Sequence, residues 1–538
     1  MRSTVTASIC LALCLSPIAC GESSDDNGAG GAGGKGDNLT DKGICAGAVI
    51  DKRTGDDGTE LADLSELADV FAQKVLQAEG DEGTCPTTYG EIMAKLRETD
   101  KENCEGVRDG LRTAVVSETA QVMGKADTYR TVTTRQCGDR EPHELLFSLF
   151  GLRSTTKGLP GNVEVIAFDR TNAVFNYYAI EDGEMHFFGN SADYMKIAQG
   201  EGARCNECHP NGALNMKELA APWVHWEGDT TTPGADTLVD GHDDLGSKTD
   251  GIELEGIVDR GNDAILATRT KTLLATNDLK QVLRPLFCAE QLNLEEGSSS
   301  AGGGAPSSIP GGALVDSRLS FGSVSVGADV YTAAIKAAKQ KVVDGSGAQL
   351  KDKSGKGVVD THFAFVFPVV SREDQSYVDK LVELKVIDED FKNDVLAVDM
   401  TRPVFSADRC RLLESAPSIA KLTTSTGKAV KSLPKKIRDG FVAALAGATE
   451  GSAEAQLAGF LANTSDADAH VKAADDFFAA CEARPKAEFM ADALKVVSLR
   501  RNQARELPVM EFAPTMPMDS LQVGDDAHLD AATCTLVE

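Results

Sequence analysis

Residues 205 to 209 read Cys-Asn-Glu-Cys-His, a motif in which residue type and spacing together specify one chemistry. Two cysteines three positions apart lie on the same side of a helical turn, so both thiols can form thioethers with the two vinyl groups of a haem. The adjacent histidine can then place its imidazole beneath the iron. The sequence therefore predicts one covalent c-type haem, anchored by Cys205 and Cys208 and ligated on one side by His209.

Two other uses of a Cys-x-x-Cys pair fit this sequence less well. A redox-active disulfide is expected in a thioredoxin-like strand–helix unit, whereas predicted hairpin strands precede this motif. A structural zinc site needs a second pair of ligands, and the sequence contains a single Cys-x-x-Cys. Covalent haem is therefore the favoured interpretation.

Large aromatic side chains follow the motif. Both tryptophans of the chain, Trp223 and Trp226, lie within 17 residues of His209. Flat side chains of this size suit the face or edge of a porphyrin, so we expect both to pack against the ring. The alternative is a structural cluster that packs the loop.

The sixth iron ligand separates the functions that such a haem can have. His225 is our first choice, because sixteen residues after His209 allow the chain to cross to the opposite side of the ring. Met216 spans about 23 Å from His209 when fully extended, so it needs a nearly extended path. His186, on the last predicted strand before the motif, could approach from the other side.

The stretch RCNECHPNGALNMKELAAPWVHWEGD, residues 204 to 229, carries a family resemblance. It resembles a group of largely uncharacterised haem-binding lipoproteins, c-type cytochromes of Gram-negative bacteria, in which Cys-x-x-Cys-His is followed by Met-Lys-Glu-Leu and Pro-Trp-x-x-Trp. The resemblance extends over residues 137 to 290. It implies a c-type cytochrome domain without implying a particular reaction. The strands before the motif are also loosely similar to β-rich cytochromes that carry a lysine crosslinked to haem, but that lysine has no match here.

The overall composition is that of a folded protein with an acidic surface. The 538 residues predict two or three domains, and 54 basic against 83 acidic residues give a formal net charge of −29. Such a surface repels phosphate backbones, so nucleic acid is not an expected partner. A solvated acidic coat is the simpler interpretation of the charge. If the charge serves docking, the partners are basic redox proteins.

The N-terminus reads as a bacterial export signal with a lipid-attachment site. Arg2 is followed by a short apolar run, Val5 to Leu15, which is too short to span a bilayer. Ala19 before Cys20 is typical of a lipoprotein processing site, although Pro17 stands where such sites usually carry leucine. The Gly-, Ser- and Asp-rich residues 21–43 predict a flexible tether. A plain secretion signal is the alternative.

The cysteine count agrees with an oxidising compartment. Of the 13 cysteines, three lie in residues 1–20 and two in the haem motif. The remaining eight are widely scattered and predict up to four disulfides, whose pairing the sequence leaves open among 105 connectivities. They are Cys45, Cys85, Cys104, Cys137, Cys288, Cys410, Cys481 and Cys534.

Hydrophobic periodicity predicts a small antiparallel meander directly before the motif. Three runs are rich in β-forming residues, VEVIAFD, AVFNYYAI and EMHFFG, and the Asp182-Gly183 dipeptide between the last two is a hairpin signal. HELLFSLFGL, residues 143–152, is predicted to be a short apolar helix. SADYMKIAQG is predicted to be a helix with Ser191 as its N-cap.

The resulting fold class is α+β and mainly α-helical. A c-type haem domain contains the meander, and a helical C-terminal domain follows. The predicted divisions are a signal peptide at 1–20, a tether at 21–43, a helical N-terminal region at 44–136, a haem domain at 137–296, a linker at 297–312 and a mainly helical domain at 313–538.

We expect an exported, periplasm-facing or outer-membrane lipoprotein that transfers electrons, and we favour an electron carrier over an enzyme. The first alternative is a haem enzyme or gas-binding protein with an open sixth iron position, acting on a peroxide or a nitrogen oxide. The second is an envelope binding or assembly protein whose haem is structural.

Lipid anchoring is tested by mass spectrometry of the mature N-terminus after expression in a Gram-negative host. The expected mature protein begins at an acylated Cys20, because the tether would then link the lipid to the folded body. A mature chain that begins at another, unacylated residue would exclude the anchor.

Overall fold

The computed structural model describes residues 45, 48–50, 67–76, 84–99, 110–117, 129–137, 141–153, 155, 157–159, 162–194, 209, 212, 214, 235–288, 292–296, 307–319, 322–338, 366–462, 469–506 and 527–537. These residues combine one large sheet with a helical body, so the predicted mixture of strands and helices is confirmed. The predicted signal, Cys20 and the tether lie outside the described residues.

The sheet contains eight strands in the order β1-β7-β6-β5-β4-β3-β2-β8. The six central strands are antiparallel neighbours along the chain, and the short outer strands β1 and β8 pair in parallel with β7 and β2. The strands are β1 (Val49–Ile50), β2 (Leu111–Ser117), β3 (Tyr129–Arg135), β4 (Leu145–Leu152), β5 (Val163–Asp169), β6 (Val174–Glu181), β7 (Glu184–Asn190) and β8 (Ser247–Lys248).

The predicted meander is confirmed as strands β5, β6 and β7. Asp182 and Gly183 join the last two with φ values of 51° and 83°, the left-handed pair that a two-residue hairpin turn of type I′ requires. A helix follows β7 as expected (α2, Ser191–Tyr194), but the predicted N-cap, Ser191, is wrong by one residue. The side chain of Asn190 accepts hydrogen bonds from the backbone N–H groups of Ala192 and Asp193.

Two predictions for the region before the meander are wrong. The run HELLFSLFGL forms strand β4 rather than a helix, and the supposedly helical region 44–136 contributes β2 and β3 to the sheet. The cause is burial on both faces. Leu145 and Phe147 pack on one side of the sheet and Leu146 on the other, and a continuous apolar run of this kind has no period that separates strand from helix.

The N-terminal segment covers one face of the sheet. Its helix α1 (Tyr89–Thr99), which lies within the region predicted to be helical, buries Tyr89 against Phe147 with ring centroids 5.6 Å apart. A π-helical segment, Ala72–Leu76, lies beside it. Leu238 and Val239 of α3 (Ala235–Asp240) join the same core.

Helix α4 (Gly251–Ala275) covers the other face. The side chain of Asp250 caps it by accepting a hydrogen bond from the N–H of Glu253 at 2.8 Å. It packs Leu254, Val258 and Ile265 on the sheet, where they join a core with residues of β2 to β7.

A helical body with its own core follows. Its helices are α5 (Leu279–Phe287), α6 (Ala328–Ala338), α7 (Arg372–Glu383), α8 (Glu389–Leu396), α9 (Ala407–Arg411), α10 (Leu433–Ala444), α11 (Ala453–Ala462), α12 (Ala469–Ala483) and α13 (Lys486–Glu506). Three two-stranded sheets accompany them: β9 (Leu292–Glu296) with β12 (Val366–Val370), β10 (Ser308–Pro310) with β11 (Ser323–Ser325), and β13 (His528–Leu529) with β14 (Leu536–Val537).

The helical core starts earlier than the predicted boundary at residue 313. Leu273 and Leu274 of α4 and most of α5 are buried among residues of the C-terminal helices. The end of the predicted linker also belongs to this core, because Ile309 is fully buried and β10 pairs with β11. Glycine and proline there mark tight turns of a packed segment.

Three disulfides lie in the described residues: Cys45–Cys85, Cys288–Cys410 and Cys481–Cys534. Three of the up to four expected disulfides are thereby confirmed, and the structure gives their pairing, which the sequence left open. Among the described residues, no helix is long and apolar enough to cross a membrane.

The Cys288–Cys410 disulfide is predicted to stabilise the helical body. It closes a loop with a sequence separation of 122 residues, so replacing both cysteines by alanine should lower the free energy of unfolding by about 2–5 kcal/mol. Denaturant titration measures this change. The matched control is the alanine pair at Cys481 and Cys534, whose separation is 53 residues; it should cost about 0.7 kcal/mol less by loop entropy. An unchanged midpoint for the first pair would contradict the prediction.

Candidate functional site

The candidate site lies on the face of the sheet that α4 covers, which we call the α4 face. It is formed by alternate residues of the strands, among them Phe175, Tyr177 and Ala179 of β6 and Phe188 of β7. Tyr177 and Phe188 are almost completely buried, at 1% and 0% exposure. The face therefore offers an apolar aromatic surface beside the end of the meander.

His209, the predicted proximal ligand, lies against this face. Its imidazole ring packs on the ring of Tyr177 with centroids 5.5 Å apart and planes tilted by 36°. The Tyr177 hydroxyl donates a hydrogen bond of 3.0 Å to the carbonyl of Gly212. The carbonyl of His209 accepts a hydrogen bond of 3.0 Å from the N–H of Gly212, which closes a turn. One tyrosine thus holds both the imidazole and the turn that follows it.

Gly212 is required by the closeness of this turn to the start of α2. Its φ is +70°, and a Cβ atom there would lie 2.4 Å from the carbonyl oxygen of Ser191. Ser191 is fixed in turn, because its hydroxyl accepts a hydrogen bond of 3.0 Å from the N–H of Phe175. Gly212 is therefore docked closely on the corner between β7 and α2.

Helix α4 holds the other end of the segment. The side-chain oxygen of Asn262 accepts a hydrogen bond of 2.8 Å from the N–H of Leu214. Leu214 is 2% exposed and lies over Gly261, where a Cβ would come within 2.4 Å of the leucine side chain. The amide nitrogen of Asn262 donates to Glu373 of α7 at 2.8 Å. A chain of contacts therefore runs from the His209 segment to the helical body.

A small cavity of about 20 Å³ lies between α4 and α7 next to this contact, with room for about one water molecule. Asn262, Arg269, Arg372 and Glu373 are among its lining residues. Burial is the main cause that raises the pKa of Glu373, and the neighbouring carboxylates of Asp374 and Asp259 act in the same direction. Asn262 lines this cavity and also hydrogen-bonds Leu214, so it connects the cavity to the residues after His209.

A buried carboxylate braces the same strand from the opposite face. Asp69 accepts hydrogen bonds from the Tyr178 hydroxyl at 2.6 Å and from the side-chain amide of Asn176 at 2.7 Å. The N–H of Ala72 donates a third at 2.9 Å. Burial raises the pKa of Asp69, and these three donors oppose the shift. The cluster fixes β6, the strand that presents Tyr177.

His186, an alternative sixth ligand, also belongs to the α4 face. Its neighbours along β7, Met185 and Phe187, pack on the opposite face. Its ring stacks on that of Phe188 with centroids 5.8 Å apart and planes at 9°. Nε2 lies 3.9 Å from a carboxylate oxygen of Glu184, and the imidazole side chain is 15% exposed. The structure thus brings His209 and His186 to one side of the sheet.

The remaining predicted site residues lie outside the described residues. They are Cys20, Cys205, Cys208, Met216, Trp223, His225 and Trp226. Among the residues that the structure does describe, no group of three or more His, Cys, Asp or Glu side chains is arranged to hold a metal ion.

Three residues that position the segment were not predicted from the sequence: Tyr177, Gly212 and Asn262. Tyr177 is one of several aromatic residues in a predicted strand, and its role depends on which face it occupies. Asn262 is 48 residues beyond Leu214, its hydrogen-bond partner. Gly212, three residues after the motif, carried the single readable signal, because a glycine there is compatible with a turn.

Comparison with known proteins gives no family. The chain matches no protein-family model, and no curated protein or solved structure matches it significantly.

Gly212→Ala tests the close docking of the segment. The left-handed backbone alone should cost about 1–2 kcal/mol, and the overlap with Ser191 adds to that cost. Gly151→Ala is the matched control, because Gly151 has a φ of +69° and open space around its Cβ position. Denaturant titration should show a larger loss of unfolding free energy for Gly212→Ala. Equal losses for the two variants would mean that the segment does not dock there.

Proposed function

We propose that this protein is an exported c-type cytochrome that carries one covalent haem and transfers electrons in the cell envelope. Cys205 and Cys208 are the thioether anchors and His209 is the proximal ligand. The observation that carries the proposal is that His209 packs on Tyr177 of an apolar aromatic face, while Gly212 and Leu214, which follow the attachment motif, are hydrogen-bonded to Tyr177 and to Asn262 of α4. A surface motif without a function would not need this support.

The residues around His209 fit an axial ligand. Tyr177 contacts the imidazole ring and hydrogen-bonds the turn that follows it, which limits rotation of the side chain. An imidazole is a common axial ligand of haem iron, and its orientation and surroundings tune the potential. When bound, the haem supplies reversible one-electron chemistry at iron.

The chain's own side chains would keep the geometry of the site constant during electron transfer. Tyr177 and Asn262 hydrogen-bond the backbone after His209 at Gly212 and Leu214, and Ser191 lies close against Gly212. Because those partners lie on the sheet and on α4, the ligand would move little when the oxidation state changes. The buried aromatic face would also keep water from one side of the site, which lowers the local dielectric constant.

The envelope location is supported by the disulfides. Three disulfides in the described residues suit an oxidising compartment, where haem is also attached to such motifs. The export signal and Cys20 extend this proposal to a lipid-anchored protein that faces the periplasm or lies at the outer membrane. A net charge of −29 supports basic redox partner proteins.

The proposal is tested by expressing the full chain in a host with periplasmic haem-attachment machinery. The protein should keep its haem through denaturing electrophoresis, because thioethers survive unfolding. A potentiometric titration should show one reversible one-electron step. The reduced spectrum should barely change on addition of carbon monoxide, since both axial positions are filled.

Replacing Cys205 and Cys208 together by serine is the matched control and should remove the colour from the denatured band. Colourless wild-type protein, or haem that acidified ketone extracts, would contradict covalent attachment. Covalent haem that binds carbon monoxide at once would instead favour a gas-binding or catalytic function.

A further inference from the structure

We propose that His186 is the sixth ligand of the iron, opposite His209. This inference rests on the proposed haem function and assigns a different residue from our first choice in the sequence, His225. It is carried by the position of His186 on the sheet.

Strand alternation places His186 and Tyr177 on the same face. Tyr178 and Phe187, which pair directly across β6 and β7, pack on the opposite face. Tyr177 and Phe188 belong to the α4 face, and the ring of His186 stacks on that of Phe188. The imidazole of His186 therefore projects from the surface on which Tyr177 holds His209.

His186 and Tyr177 occupy neighbouring positions on this face. His186 pairs with Ala179, and Tyr177 lies two residues from Ala179 on the same strand. Two residues along a strand and one strand across give roughly 8 Å between positions 177 and 186. The small side chain of Ala179 is a neighbour of both positions on this face.

The residues around His186 restrict the orientation of its imidazole ring. The side chain is 15% exposed, and Phe188 lies parallel to its ring. The contact with Glu184 is weak, because Nε2 and the carboxylate oxygen are 3.9 Å apart and the Glu184 side chain is 66% exposed. A rotation of the imidazole ring would exchange this contact for the iron.

Two fixed imidazoles also have an electrochemical consequence. A methionine in place of the second histidine raises the reduction potential of a c-type haem. His186→Met should therefore preserve a low-spin iron and shift the potential upward. A merely structural role for His186 would leave the potential and the spin state of the iron unchanged.

The test uses the full haem-loaded chain and its variants His186→Ala, His186→Gly and His186→Met, with carbon monoxide and free imidazole as probes. The wild type should be low-spin, with near-infrared magnetic circular dichroism typical of two histidine ligands. The alanine and glycine variants should keep the covalent haem, become high-spin and bind carbon monoxide at once when reduced. Added imidazole should return His186→Gly to the low-spin state.

His528→Ala, which removes a histidine from the separate strand β13, and His225→Ala are the controls, and both should retain the wild-type spectrum. If His186→Ala does not fold, the raised potential of His186→Met is the deciding readout.

Three results would overturn the assignment. They are a low-spin spectrum in His186→Ala, an opening of the site by His225→Ala or Met216→Ala instead, and a wild type that is already high-spin. In each of these results the haem is still covalently bound, so the assignment of His186 fails while covalent haem attachment is retained. Protein without covalent haem would overturn both proposals.

Discussion

The burial of helix α4 between the sheet and the helical core is the packing constraint on which the described structure depends. Leu254, Val258 and Ile265 are buried on the sheet, whereas Leu273 and Leu274 near the end of the helix are buried in the other core. Because a single helix supplies apolar surface to both, the two bodies are positioned relative to each other by one rigid element.

A buried ion pair adds a specific contact to that packing. Arg269 of α4 donates to a carboxylate oxygen of Asp374 at 2.9 Å, and its guanidinium lies over the ring of Tyr377. The Arg269 and Asp374 side chains are 4% and 0% exposed, so loss of either partner would leave a buried charge uncompensated. The same stretch of α4 presents Gly261 and Asn262 to the segment after His209. Packing that fixes the helix therefore also fixes the support of the candidate site.

The sequence predicted those parts of the fold that depend on local patterns. Alternating strands and the Asp182-Gly183 turn were readable because one hairpin encodes both its strands and its turn. Strand β4 was not, because burial on both faces removes the alternation that distinguishes strand from helix. The start of the helical core was also misplaced, since nothing in the sequence of α5 indicates which of two cores buries it.

In the candidate site, too, the residues that depend on local sequence were predicted and those that depend on long-range contacts were not. Residue types and spacing singled out His209 from five consecutive positions. Tyr177 and Asn262, which hold its segment, act through contacts 35 and 48 residues apart in sequence, so they became visible only with the fold. His186 could be named as a candidate from the sequence, but its place on the α4 face depends on the register of β6 and β7.

Covalent attachment of haem at Cys205 and Cys208 can be measured by peptide mass spectrometry. After proteolysis of the mature protein purified from a haem-attaching host, we expect one peptide spanning Cys205 to His209 with the added mass of one haem and no free thiol. The same peptide with unmodified cysteines, or with a disulfide between Cys205 and Cys208, would contradict it.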